Sequence, residues 1–178
     1  MISKTLLLSA VHAATYTASD DVTFEVNFAN NLFEIKANNV PTNGQLALAL
    51  GATPASTDTD IIVFAALGNG VISDKFGTWT SSTTTGDTNS LQNTSVTVNN
   101  GKYNFVAYRA ADTGSNKDTV INCGSQQTFS WQVKPSGNTG NWELSTNADC
   151  GVNANPANGA AKLVGGFMTA GLVMASLF

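Results

Sequence analysis

Val22-Thr23-Phe24-Glu25-Val26-Asn27-Phe28 alternates apolar and polar residues without a fault, the period of two that a strand with one buried face requires. Residues 32–37 continue after Asn30-Asn31, a pair suited to a tight turn, so the two runs are expected to form a hairpin. Leu46, Leu48 and Leu50 alternate with small residues between Asn43-Gly44 and Gly51, and Ile61-Ile62-Val63-Phe64 is a continuous apolar run; both read as core strands. Further β-like runs lie at 70–76, 95–98, 103–108, 119–122 and 128–133, each bounded by Gly, Asn, Asp or Pro. About nine or more short strands predict an all-β fold, a single antiparallel β-sandwich. No stretch between the two chain ends carries an apolar stripe at helical spacing over ten residues, and residues 78–93, rich in Ser and Thr, are expected to be one exposed loop.

The two ends follow a different pattern. Lys4, then Leu6-Leu7-Leu8, then small residues at Val11-x-Ala13 have the order of a secretory signal peptide over 1–13, with the mature chain starting near Ala14. Residues 163–178 form an apolar tail without charge, shorter than the roughly 20 residues that span a bilayer comfortably. Small residues at 153–161 and Lys162 precede it, as in a lipid-anchor (GPI-type) attachment signal. A short membrane helix and a buried terminal helix are the alternatives. The organisation expected is therefore a leader (1–13), one β-sandwich domain (14–152), and a spacer with a hydrophobic anchor signal (153–178).

Charge narrows the partners. Without Lys4 and Lys162 the chain keeps six basic side chains against twelve acidic ones, a net charge of −6, which repels phosphate backbones and argues against nucleic acid. Charged residues make up only 11% of the chain. Solubility then rests on Thr, Ser, Asn and Gly, as on an extracellular β-protein. Asn93-Thr94-Ser95 is a sequon for N-glycosylation. The two cysteines, Cys123 and Cys150, are expected to pair in an oxidising compartment and to pin the last segment onto the sandwich.

Gly44-Gln45-Leu46-Ala47-Leu48-Ala49-Leu50-Gly51, followed by Asp58-Thr59-Asp60-Ile61-Ile62-Val63-Phe64 and Gly70-Val71-Ile72-Ser73-Asp74, resembles the central signature of DOMON domains. Tyr103-Asn104-Phe105-Val106-Ala107-Tyr108-Arg109, Asp112-Thr113-Gly114, Asp118-Thr119-Val120-Ile121 and Gly124 resemble the family's later stretch of strand, Arg, Asp-bearing turn and strand. The likeness spans about 22–134. It implies a secreted or cell-surface sandwich that binds a ligand, haem or sugar, between or at the end of its sheets. Haem-binding members use a Met before the Asp-Ile-Val strand and a His on a later strand. Here 52–59 hold no Met, the sole His is His12, and all three Met lie in the removable ends. No haem or other cofactor is therefore expected.

The remaining chemistry is sparse. A copper site at His12 fails for want of a second imidazole. Asp58, Asp60, Asp74 and Asp87 lack the spacing of a known calcium loop and read as turn-capping carboxylates, so no metal is assigned. No carboxylate pair stands in an obvious acid/base context, so no catalytic residue is assigned and the protein is not expected to be an enzyme. Arg109 is expected to pair with Asp112 or Asp118 or to point into a ligand site. Trp131 reads as core, and Trp79 and Trp142 as candidate sugar-stacking faces. Trp79, Arg109 and Trp142 are thus the candidate ligand-binding residues. The function expected is recognition of carbohydrate or an extracellular protein by a membrane-anchored surface domain. A self-assembling coat or fibre subunit is the alternative, and a haem electron-transfer domain with unusual ligands is a lesser one.

Overall fold

The structure, a computed structural model, describes residues 13–19, 21–29, 31–50, 59–77, 85–86 and 89–152. Most of the expected leader (1–12), the tail (153–178), His12, Asp58, Trp79 and Asp87 lie outside them. The described chain forms eleven strands: β1 (Ala14–Thr17), β2 (Thr23–Ala29), β3 (Leu32–Pro41), β4 (Gln45–Ala49), β5 (Thr59–Ala65), β6 (Val71–Gly77), β7 (Thr85–Gly86), β8 (Gln92–Asn99), β9 (Lys102–Ala110), β10 (Gln126–Lys134) and β11 (Thr139–Ser145). They make two antiparallel sheets, one in the order β1-β2-β3-β9-β8 and the other β11-β10-β4-β5-β6-β7. The expected all-β sandwich is what the chain forms, and among the described residues no helix is long and apolar enough to cross a membrane.

The alternation read along the chain decides which side chains meet between the sheets. In β2 the apolar positions Phe24 and Val26 face in, and β3 matches them with Ala37 and Ile35 in register, while Phe33 pairs with Phe28. The turn between these strands has Asn31 at φ 63°, a left-handed conformation that Asn tolerates better than most side chains. Between β8 and β9 Asn100 and Gly101 both take positive φ, which suits the right-handed twist of a two-residue hairpin. From the second sheet Leu46, Leu48, Ile62, Phe64, Phe129, Trp131, Val133, Trp142 and Leu144 face the first. Burying a side chain of this size removes roughly 1.5–3 kcal/mol of unfavourable hydration each, and these residues supply the main cohesion of the domain.

Three features depart from the sequence reading. Residues 119–122 form no strand, because Thr119 spends its N–H on Asp60 and its hydroxyl on the carbonyl of Leu50 rather than on a ladder. The stretch read as one loop, 78–93, contains β7 and the start of β8. Strands β1 and β11 were not signalled. β1 is four residues long and adjoins the expected cleavage point, and the Trp142–Leu144 alternation of β11 is flanked by Asn and Gly that read as turn.

Candidate functional site

Arg109 stands near the end of β9, on the inward parity shared with Tyr103, Phe105 and Ala107. A charged side chain at such a position must find partners across the sandwich, because water no longer reaches it. It finds them on the opposite sheet. Asp60, the second residue of β5, is on the same inward parity as Ile62 and Phe64, and its Oδ2 lies 2.9 Å from Arg109 Nη2. Asp118, from the loop after β9, approaches the same nitrogen at 3.8 Å, and Nη2 also donates to the carbonyl of Thr119 at 2.9 Å. Asp74 on β6 lies diagonally across from Asp60, since Asp60 pairs with Phe76 and Asp74 with Ile62. One carboxylate oxygen from each of Asp60, Asp74 and Asp118 lies within 4.8 Å of the other two.

The cluster is sealed. Arg109 is 1% exposed and Asp60 2%, so both charges sit where desolvation is costly. Burial pushes the Asp60 carboxyl up to about 6; the Arg109 guanidinium and the Thr119 N–H pull it back, while the charges of Asp118 and Asp74 push it further. Asp74 Oδ2 accepts from the N–H and hydroxyl of Ser90, and Asp118 Oδ2 from the hydroxyl of Thr113. Arg109 Nε and Nη1 and Asp118 Oδ1 are buried without a hydrogen-bond partner.

Above this base runs the connection 111–125, fixed at many points although it contains no strand. Ile121 N–H donates to Ala111 O at 2.8 Å, Thr119 is held on Asp60 of β5 and on Leu50, the residue after β4, and Asn122 and Ser125 are tied to Gln127 and Thr146. Cys123 is bonded to Cys150, as expected, which ties this loop to the segment after β11. The side chains of Asp112, Asn116, Lys117, Val120 and Asn122 are left facing solvent. The result is a fixed scaffold under an exposed polar tip that includes one apolar residue.

The other candidates fall elsewhere. Trp142 is 4% exposed, packed against Tyr16, Phe24 and Phe129 with ring centroids 4.8 to 5.3 Å away, and its Nε1 donates to Ser130 O. No face of it is open to a sugar, so it belongs to the core with Trp131. Arg109 bridges the sheets beneath the loop and does not line an open surface. Asp118 is a partner that the sequence suggests for Arg109, whereas Asp60 and Asp74, which read as turn-capping carboxylates, are instead buried within β5 and β6 and join the cluster; for Asp60 the signal is a carboxylate at inward parity directly before the apolar run 61–64. Asn93 is exposed on β8, at φ 47° and beside an irregularity in the β8–β9 register.

The described residues do not fit haem. Residues 13–152 contain no His and no Met, and both cysteines are in the disulfide. All three tyrosine hydroxyls are already donors: Tyr16 to Glu143 O at 2.6 Å, Tyr103 to Gly68 O at 2.8 Å and Tyr108 to Glu34 at 2.6 Å. None of the side chains that serve as axial ligands is left to hold iron.

No curated protein matches the chain in sequence. Among solved structures it is similar to the cytochrome domain of Myriococcum thermophilum cellobiose dehydrogenase, with a TM-score of 0.50 and 15% identity over 78% of this chain and 81% of that one; the likeness is one of fold. The sequence pattern of the DOMON domain matches residues 18–148, from the end of β1 to just beyond β11. With that match covering most of its length, the chain belongs to the DOMON domain family.

Proposed function

We propose that this is an exported, membrane-anchored DOMON domain that recognises carbohydrate or an extracellular protein without haem and without catalysis. The observation that carries the reading is the loop 111–125. It is held on both sheets through Thr119 and Arg109, closed by the Cys123–Cys150 bridge, and open to solvent at its tip. A loop ordered before its ligand arrives loses less conformational entropy on binding, which is how a rigid scaffold turns a loop into a recognition surface. The disulfide fits an oxidising, extracellular setting, and the sequon at exposed Asn93 fits a glycoprotein.

The test is a glycan array and an extracellular-protein binding screen with the secreted protein, alongside a triple variant Asn116→Ala, Lys117→Ala, Val120→Ser. Loss of a saturable signal in that variant, with its thermal midpoint unchanged, supports the loop. A signal that survives all three changes removes the loop from recognition. A Soret band in protein purified from its native membrane would overturn the haem-free reading.

A second reading has its own observation. Strand β8 is an edge strand of the first sheet, exposed along nearly its whole length, with Val98 54% exposed and neutral Thr, Ser and Asn around it. Such an edge offers an unpaired row of backbone groups to a neighbouring chain, as a coat or fibre subunit requires. Concentration-dependent oligomers abolished by Thr97→Pro would favour assembly; a monomer at every concentration would exclude it.

A further inference from the structure

Three carboxylates and one guanidinium share the sealed end of the sandwich, so with all groups ionised the cluster carries a net charge of −2. Burial leaves such an excess without water to screen it, and a buried charge without a counter-charge is among the most unfavourable arrangements in a protein. The hydrogen bonds and ion pairs described for the cluster all fall on Oδ2: Arg109 and Thr119 on Asp60, Ser90 on Asp74, Thr113 and Arg109 on Asp118. Asp118 Oδ1 is buried and has no partner at all. Lys117, next in sequence to Asp118, is exposed and lies over the Phe76 ring, 6.0 Å from its centroid.

We propose that Asp60, Asp74 and Asp118 hold one divalent cation of the calcium class between the two sheets. The donor set is oxygen only, which suits a hard cation and excludes the soft metals that seek sulfur or imidazole. The spacing agrees with the size of the ion. Calcium–oxygen contacts of about 2.3–2.6 Å allow two ligand oxygens on opposite sides of the ion to stand about 4.8 Å apart, and the three carboxylates offer one oxygen each within 4.8 Å. A charge of +2 brings the cluster to neutrality and gives Asp118 Oδ1 the partner it lacks, with water completing the six to eight ligands that calcium takes. The three ligands come from β5, β6 and the loop 111–125, so the ion ties the second sheet to the loop at the point where Arg109 ties in the first. This inference does not rest on ligand recognition by the loop.

The experiment uses the full secreted protein, dialysed against a chelator and then titrated with calcium chloride by calorimetry, with the thermal midpoint followed in parallel. One saturable site, in the 10⁻⁴–10⁻³ M range typical of extracellular modules, with a midpoint that rises with calcium, is the expected result. Asp118→Asn is expected to weaken binding at least tenfold, while Asp112→Asn, an exposed change in the same loop, leaves it unchanged. Absence of saturable binding by the unmodified protein overturns the site and needs no variant to fold. Binding unaffected by Asp118→Asn and by Asp74→Asn places the ion elsewhere and also overturns it. Equal affinity for magnesium chloride overturns the assignment to the calcium class.

Discussion

Replacing Arg109 by Met tests whether the inter-sheet ion pair holds the domain together. Methionine approximates the volume and removes the charge, so the change isolates electrostatics from packing better than alanine would. Asp60 loses its partner at 2.9 Å and Asp118 its partner at 3.8 Å, both while buried. Breaking one partner out of a buried pair costs about 3–5 kcal/mol, because the remaining charge stays desolvated. For a domain of about 140 residues, each kcal/mol corresponds to roughly 4 °C in thermal midpoint, so a fall of about 12–20 °C is expected. Urea unfolding in the presence of a chelator measures the change, read as a shift in midpoint concentration at constant slope. Two further outcomes separate charge from packing. The deficit should shrink as pH falls towards about 6, because Asp60, already raised to about 6 beside Arg109, is raised further once the guanidinium is gone and takes up a proton instead of remaining a buried anion. The double variant Arg109→Met, Asp60→Asn should be more stable than the sum of the two single changes predicts. A loss of less than 1 kcal/mol at pH 7, or strict additivity in the cycle, would refute the view that Arg109 neutralises these carboxylates.

Three other outcomes follow from the same structure. Replacing Cys123 and Cys150 together by Ser releases a loop with a sequence separation of 27 and should cost about 3.5 kcal/mol on the chain-entropy estimate, seen as an earlier urea midpoint. Trp142→Ala empties the contact between Tyr16, Phe24 and Phe129 and should cost about 3–5 kcal/mol, enough to leave little folded protein at 37 °C by circular dichroism; a mild loss would mean that Trp142 is not part of the core. Asp60 is raised from 3.8 to about 6 in the folded state, so the native protein binds its proton more tightly than the unfolded chain does. Its contribution to stability is therefore present below about pH 4 and is lost as pH rises through about 6, a change of about 3 kcal/mol, and the difference in pH–stability slope between the native protein and Asp60→Asn, both in chelator, reads it.

How much of this was legible in the sequence depends on how far each feature's cause extends along the chain. The strands with faultless alternation, Thr23–Ala29 and Lys102–Ala110, were readable because one buried face imposes a period of two on the residues themselves. The pairing of Cys123 with Cys150 was readable because only two cysteines exist. Trp142 was misjudged because its neighbours Asn141 and Gly140 suggest a loop, whereas its burial comes from Tyr16 and Phe24, more than a hundred residues away. Residues 119–122 have the composition of a strand, but the side chain of Asp60, 59 residues earlier, captures the Thr119 N–H. The site shows the same division. Arg109 and Asp118 lie ten residues or fewer apart and were linked in advance, while Asp60 and Asp74 join them only through the register of β5 on β6 and the closure of one sheet over the other.

That closure bears on what the charged end is for. A sandwich that needed only stability would close its end with Leu or Ile, since replacing buried ions by packed apolar groups is often neutral or stabilising. Here the sheets are already joined by apolar packing around Phe64, Phe105, Phe129 and Trp142, so the ions at the other positions add expense where cohesion is not lacking. What ions provide and apolar groups do not is direction: Arg109 Nη2 fixes the carbonyl of Thr119, and Asp60 fixes its N–H, which together set the backbone of the loop 111–125 at one point in both orientations. A loop whose base is specified in this way has a defined shape at its exposed tip, and an apolar cap would have left that shape free. The cost of the buried charges thus belongs with the loop they orient, and loss of binding in Arg109→Lys, which keeps the charge but not the planar fork, is the sign by which that connection would be recognised.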